Sequence, residues 1–304
     1  MTAPVLSPSP HLHSGASTRR IMLDVIIALC PAAIASVIIF GWRSALLIAV
    51  CVAAAVAGEY ICRRIMKRPN TCGDLSAVVT GLLLALNLPV TLPVWMAALG
   101  SVVAIVVVKQ FFGGIGQNFA NPAITARIVL MLSFTSYMTA WVSPSVLGDA
   151  VTSASPLGGA EVSTRNLLLG LHAGCLGETC ALALLAGGIY LSVRRVINPL
   201  VPLTFIGTTA LMMWAFGGDP LYHILTGGLL LGAIFMATDY ATTPSTLLGR
   251  VIFAAGCGII TALIRQFGSL PEGVSFSILL MNIITPLIAR AVITRPFGSK
   301  EAKR

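Results

Sequence analysis

Ser155 offers a hydroxyl nucleophile within Asp149-Ala150-Val151-Thr152-Ser153-Ala154-Ser155-Pro156-Leu157, a polar interruption of a chain that is otherwise apolar almost end to end. Pro156 disfavours helix for the residue before it, which puts Ser155 on extended backbone that another molecule can reach. Ser155 is therefore a candidate for covalent modification, with Asp149 and Thr152 as polar neighbours, although the same composition also suits an ordinary membrane loop. A second constellation runs Gly113-Gly114-Ile115-Gly116-Gln117-Asn118-Phe119-Ala120-Asn121-Pro122-Ala123. Its glycines open backbone shapes closed to other residues, Asn118 or Asn121 can cap a helix start, and Pro122 suits a first helical turn. The free amides of such a turn, with Arg127 just beyond, can hold an anion or the polar edge of a cofactor; a tight, capped helix connection is the other reading.

Carboxylates form the third group. Asp24, Glu59, Asp74 and Asp239 fall near one side of the apolar segments, and Glu178 and Glu272 near the other. A carboxylate inside a membrane is costly, so it lines water, pairs with a base or serves an ion path. Glu59 and Glu178 are the deepest and the best placed for an ion path. Asp24 and Asp74 lie beside basic clusters, where interfacial salt bridges account for them.

The elements that carry these groups follow from composition. With 304 residues, 57% hydrophobic and 10% charged, and a mean hydropathy of +0.93, the chain reads as an all-α polytopic membrane protein. The net charge of +9 resides in short basic clusters between apolar runs, which is a topology signal and argues against a nucleic-acid partner. Seven cysteines, without a CxxC pair, read as small packing residues and leave no metal site predicted. No small-residue cleavage site follows Arg19-Arg20, so the first apolar run is expected to be retained as a helix.

Apolar windows predict about ten transmembrane helices, near 21–41, 44–62, 75–90, 93–112, 120–141, 174–193, 199–217, 221–238, 248–266 and 274–293. Threaded from an inside N-terminus, Arg19-Arg20, the Arg63 to Arg68 cluster, Arg194-Arg195, Arg250 and the Arg295 to Arg304 tail are cytoplasmic, with Arg43 and Arg165 as lone outer charges. The organisation expected is a cytoplasmic tail at 1–20, a five-helix half at 21–141, an outer loop at 142–173, a second five-helix half at 174–294 and a basic cytoplasmic tail at 295–304. Five segments on each side of the loop make an inverted repeat. Thr80-Gly81-Leu82-Leu83-Leu84 is echoed by Thr226-Gly227-Gly228-Leu229-Leu230, and Asn121-Pro122 with Arg127 loosely parallels Asn282, Pro286 and Arg290. Segments three and eight, interrupted by glycine and proline, are expected to be short or broken.

Taken together, Ser76 to Pro89, Gly113 to Ala123, Asp149 to Leu157, Gly177-Glu178-Thr179 with Leu184 to Gly188, Phe235-Met236-Ala237-Thr238-Asp239, and Glu272 to Phe276 with Asn282 resemble the RnfD/NqrB membrane subunits of ion-translocating electron-transport complexes. Length and the short N-terminus place the resemblance nearer the RnfD branch. It implies a urea-channel-like ten-helix fold and FMN joined through its phosphate to a hydroxyl in the outer loop. The family pattern, Asp-x-x-Ser/Thr-x-Ala-Thr, is filled by Asp149, Thr152, Ala154 and Ser155, with serine where threonine is usual. Serine supplies the same oxygen. The resemblance also implies a separate flavin transferase using FAD and a divalent metal, partner subunits of the Rnf-type complex, coupling to Na+ or H+, and riboflavin as a candidate second flavin. Asn118, Asn121, Arg127 and Glu178 are the expected polar contacts around a flavin or an ion. The expected location is the bacterial inner membrane, and the subunit is not catalytically complete alone.

Two other function classes fit parts of the sequence. A urea-channel-like passive solute channel would share the fold, and the single Asn121-Pro122-Ala123 triplet resembles one of the two copies that water and glycerol channels need. A flavin-free scaffold subunit is the other. The Asp149 to Leu157 loop separates them, because neither a pore nor a bare scaffold uses a flavin acceptor.

Overall fold

The computed structural model describes residues 17–144, 155–158, 162–268 and 272–292, and the regular elements among them are helical. Asp149 and Thr152 lie outside the described residues. In chain order the first half gives α1 (Thr18–Phe40), α2 (Trp42–Ile65), α3 (Ser76–Leu86), α4 (Val94–Val102) with a π-helical continuation over Val103–Gln110, α5 (Pro122–Ser133) and α6 (Thr135–Met138). The second half gives α7 (Thr164–Leu169), α8 (Ala181–Val193), α9 (Leu200–Ala215), α10 (Pro220–Leu225), α11 (Leu229–Leu231) continuing as π-helix over Gly232–Met236, α12 (Leu247–Phe267) and α13 (Val274–Ala291). Four of these, α1, α2, α12 and α13, are long and apolar enough to cross a membrane, and shorter apolar helices fill the space between them. Their outward faces carry Ile34, Ile38, Trp42, Leu132, Leu203 and Trp214, all exposed, as expected where lipid is the solvent.

Small residues let the helices approach one another. α1 packs on α8, α2 on α3 and α4, α9 on α12, and α5 on α13. A Cβ on Gly81 of α3 would meet the carbonyl oxygen of Cys51 at 2.8 Å. A Cβ on Gly258 of α12 would collide with Thr208 of α9.

Three expected segments are interrupted: the run 120–141 divides at Phe134 into α5 and α6, and two others break for reasons visible in their hydrogen bonds and backbone. The run 174–193 becomes helical only at Ala181. The amides of Leu176 and Gly177 instead donate to the carbonyls of Leu88 at 3.0 Å and Leu86 at 2.7 Å, which helix α3 leaves free where it stops. Gly177 is needed there, since a Cβ would lie 2.6 Å from that of Leu86. The run 221–238 divides between α10 and α11 at Gly227 and Gly228, whose φ angles of +69° and +66° end one helix and start the next.

Candidate functional site

Arg127 projects from α5 into the centre of a polar network drawn from both halves of the chain. Its Nη1 donates to Asn87 Oδ1 at 3.0 Å and to Ser275 Oγ at 3.0 Å. Its Nη2 donates to Cys175 Sγ at 3.3 Å and pairs with the Glu272 carboxylate. Asn87 sits at the end of α3 and is itself fixed, its amide donating to Leu83 O at 2.7 Å and lying 3.6 Å from Met236 Sδ. Arg127, Glu272, Asn87, Ser275 and Cys175 are all buried. Glu178 is buried alongside and accepts from the amide of Cys175 at 3.4 Å. Cys175 Sγ and carboxylate oxygens of Glu178 and Glu272 lie within 4.8 Å of one another, a donor set of metal-binding type. The Arg127 guanidinium bonds two of the three.

Asn121 has a structural task at the start of α5. Its Oδ1 accepts from the amides of Ala123 at 3.0 Å and Ile124 at 3.4 Å, and its Nδ2 donates to Met236 O at 3.4 Å. Asn118 lies apart from Arg127, on a cavity of about 100 Å³ that Ser76, Thr80, Lys109, Asn121 and Asp239 also line. Asn118 Oδ1 is buried there without a hydrogen-bond donor among the described residues. The sequence-predicted residues thus separate. Arg127 and Glu178 share one network, Asn118 and Asn121 face a different cavity, and Ser155 belongs to a third place.

Ser155 opens the short turn Pro156–Gly158, closed by the Gly158 amide donating to Ser155 O at 2.8 Å. The turn rests on α10, with Tyr222 Oη donating to Pro156 O at 2.8 Å. Ser155 is 6% exposed, so the sequence expectation of a reachable hydroxyl is not met in this conformation. Its neighbours Pro156 and Leu157 are the residues that meet α10 and the α10–α11 break.

A second buried ion pair is not anticipated by the sequence reading. Lys109, at the end of the π-helical continuation of α4, bonds Glu59 Oε2 at 2.8 Å and Ser76 Oγ at 2.6 Å. Glu59 also accepts from Thr71 at 2.6 Å and from Gln110 at 3.0 Å, and Asp74 caps α3 through Ser76. Asp24 pairs with Arg194 at 3.3 Å and accepts from Tyr190 at 2.9 Å, the interfacial kind of bridge expected for it. Asp74 has no ion pair among the described residues and acts as a cap instead. One signal for Lys109 exists in the sequence: Lys109-Gln110-Phe111 at the end of α4 is matched by Arg265-Gln266-Phe267 at the end of α12. Arg265 donates to the carbonyls of His223 at 2.5 Å and Thr226 at 2.8 Å, at the end of α10.

Residues 5–298 match the family described as NQR2, RnfD, RnfE. The chain belongs to that family. It is 46% identical over 98% of its length, and 96% of the relative's, to the D subunit of the Na(+)-translocating ferredoxin:NAD(+) oxidoreductase complex of Acetobacterium woodii. It is 42% identical, over 97% of its length and 96% of the relative's, to the D subunit of the proton-translocating ferredoxin:NAD(+) oxidoreductase complex of Clostridium ljungdahlii. The D subunit of the ion-translocating oxidoreductase complex of Halorhodospira halophila is 35% identical over 96% of this chain and 95% of the relative.

Proposed function

We propose that this chain is the D subunit of an ion-translocating ferredoxin:NAD+ oxidoreductase complex, carrying FMN on Ser155 and relaying electrons in a process coupled to Na+ or H+ transport. The observation that carries the reading is the match of nearly the whole chain to relatives named as D subunits of such complexes. The other subunits of the complex are its partners, and a flavin transferase matures it. Because one relative is named for Na+ and another for protons, identity with them does not select the ion.

Ser155 is the residue we assign to hold the flavin. Ser155 supplies the acceptor oxygen in the position the family pattern reserves for a hydroxyl. Attachment would join Ser155 Oγ to the FMN phosphorus of FAD, with AMP leaving as the pyrophosphate bond breaks and the hydroxyl proton released. Bound flavin would supply one- and two-electron transfer. The protein's part is to hold it: Tyr222 fixes the turn. Riboflavin is our proposal for a second flavin; the cavity at Asn118, at about 100 Å³, is too small to hold it whole and is not assigned to it.

The ten-helix inverted repeat belongs to the same proposal. In its support, α2 packs on α3 and α4 as α9 packs on α10 and α12, while α1 meets α8 and α5 meets α13. The Lys109-Gln110-Phe111 and Arg265-Gln266-Phe267 triplets end the corresponding helices. The basic clusters favour cytoplasmic termini in a bacterial inner membrane, with Ser155 on the outer side. A solute channel draws no support from relatives named as oxidoreductase subunits.

Peptide mass spectrometry on protein from its native host, washed under denaturing conditions, tests the flavin. The expected result is an FMN increment on the Ser155 peptide that Ser155→Ala abolishes. An unmodified peptide from a host that makes the transferase overturns it.

A further inference from the structure

The break between α10 and α11 does more than interrupt a helix. Gly227 presents bare backbone at φ +69°, and two groups converge on the space a side chain would take. Leu157 Cδ1 would collide with a Cβ there, and Arg265 Nη2 would lie 2.6 Å from it. Arg265 holds the break in shape from below through the carbonyls of His223 and Thr226. From above, Leu157 enters the notch while Tyr222, one helical turn back on α10, donates to the neighbouring Pro156 carbonyl. Side chain and backbone of the same turn are therefore each held by a different feature of the break.

We propose that Gly227, Tyr222 and Leu157 form a seat for the acceptor turn, which positions Ser155 against the second half of the bundle and controls access to its hydroxyl. For the flavin this rests on the function proposed above; the seat itself does not. A separate transferase must bring its active site to the hydroxyl oxygen, and a serine 6% exposed under a packed turn is closed to it. Modification then takes place with the turn off the seat, and re-docking afterwards lodges the attached group beside the α10–α11 break. Tyr222, Leu157 and Gly227 are positioning residues, since none of them is the acceptor.

Access can be read without flavin. Ser155→Cys in the detergent-solubilised, assembled complex is labelled with a maleimide, and peptide mass spectrometry follows that position separately from the native cysteines. Slow labelling is expected in this variant. Adding Tyr222→Phe, which removes one neutral hydrogen bond, should speed it roughly fivefold, and adding Leu157→Ala about tenfold, because the notch then buries less apolar surface. Gly227→Ala should act in the same direction. If it prevents assembly, Leu157→Ala, which leaves the backbone of the break intact, still decides the matter. Equal rates in all backgrounds, whether fast or slow, overturn the seat. With Ser155 restored and the transferase present, the same second-site changes should raise the initial rate of FMN attachment by similar factors. A wild-type chain that never acquires flavin while the labelling rates separate would overturn the flavin reading and leave the seat standing. A flavin-bearing chain with equal labelling rates does the reverse.

Discussion

Lys109 and Arg127 are both buried cations held by a carboxylate, yet their surroundings differ. Lys109 is a point charge on a flexible stem, and its partners Glu59 and Ser76 come from α2 and α3, elements close in the chain. Through Ser76 it is one hydrogen bond from a second carboxylate, since Ser76 Oγ donates to Asp74 at 2.5 Å. Arg127 is a planar fork engaged with four partners at once, on α3, α13, the stretch before α8 and the loop at Glu272. The lysine site is a local clasp with a second carboxylate reached through Ser76; the arginine site joins distant parts of the chain through four simultaneous bonds, with Glu178 as its second carboxylate.

The difference is tested most severely by removing each carboxylate. Glu272→Ala removes the one carboxylate bonded directly to the buried guanidinium and leaves Glu178 as the nearest remaining negative charge, and a loss of about 3 kcal/mol is expected in the stability of the purified complex, read as a fall in thermal midpoint or a failure to assemble. Glu59→Ala should cost clearly less, because the ammonium can swing toward Ser76 and Asp74. Equal losses would show that the alternative partner has no energetic weight. Arg265→Lys isolates the contrast between fork and point charge: one ammonium cannot reproduce two well-separated hydrogen bonds to the end of α10, and the same measurement should fall by about 1–2 kcal/mol. The smallest effect is expected for Asn121→Ala, about 1 kcal/mol, since it removes a helix cap and leaves both ion pairs intact.

Much of the helical layout is legible in the sequence because apolar runs and glycine or proline breaks are local properties. The starts of α5 and α13 and the shortness of α3 are of this kind. The helix expected from 174 begins late although Leu176 and Gly177 look apolar and helix-compatible; only the free carbonyls of Leu86 and Leu88, far away in sequence, make the extended path better. Arg127 and Glu178 are recognisable as costly membrane charges, but the partnership of Arg127 with Glu272 depends on tertiary packing that spacing does not encode. Lys109 is hidden for a different reason. A single lysine at the end of an apolar run reads as an interfacial anchor, whereas the π-helical geometry before it helps bring the side chain to Glu59. Ser155 stands out by its chemistry, while the contacts of Pro156 with Tyr222 and of Leu157 with Gly227 that anchor its turn leave no local trace.

Arg127 acts mechanically as a rivet. One side chain fastens the first half of the chain, through Asn87 and its own helix α5, to the second, through Ser275, Cys175 and Glu272. Rocking one half against the other, the motion by which many repeat-built transporters work, would require that rivet to be drawn out of its buried sockets on every cycle. Two parts of the chain so fastened resist sliding past each other as long as the buried bonds of that one side chain hold.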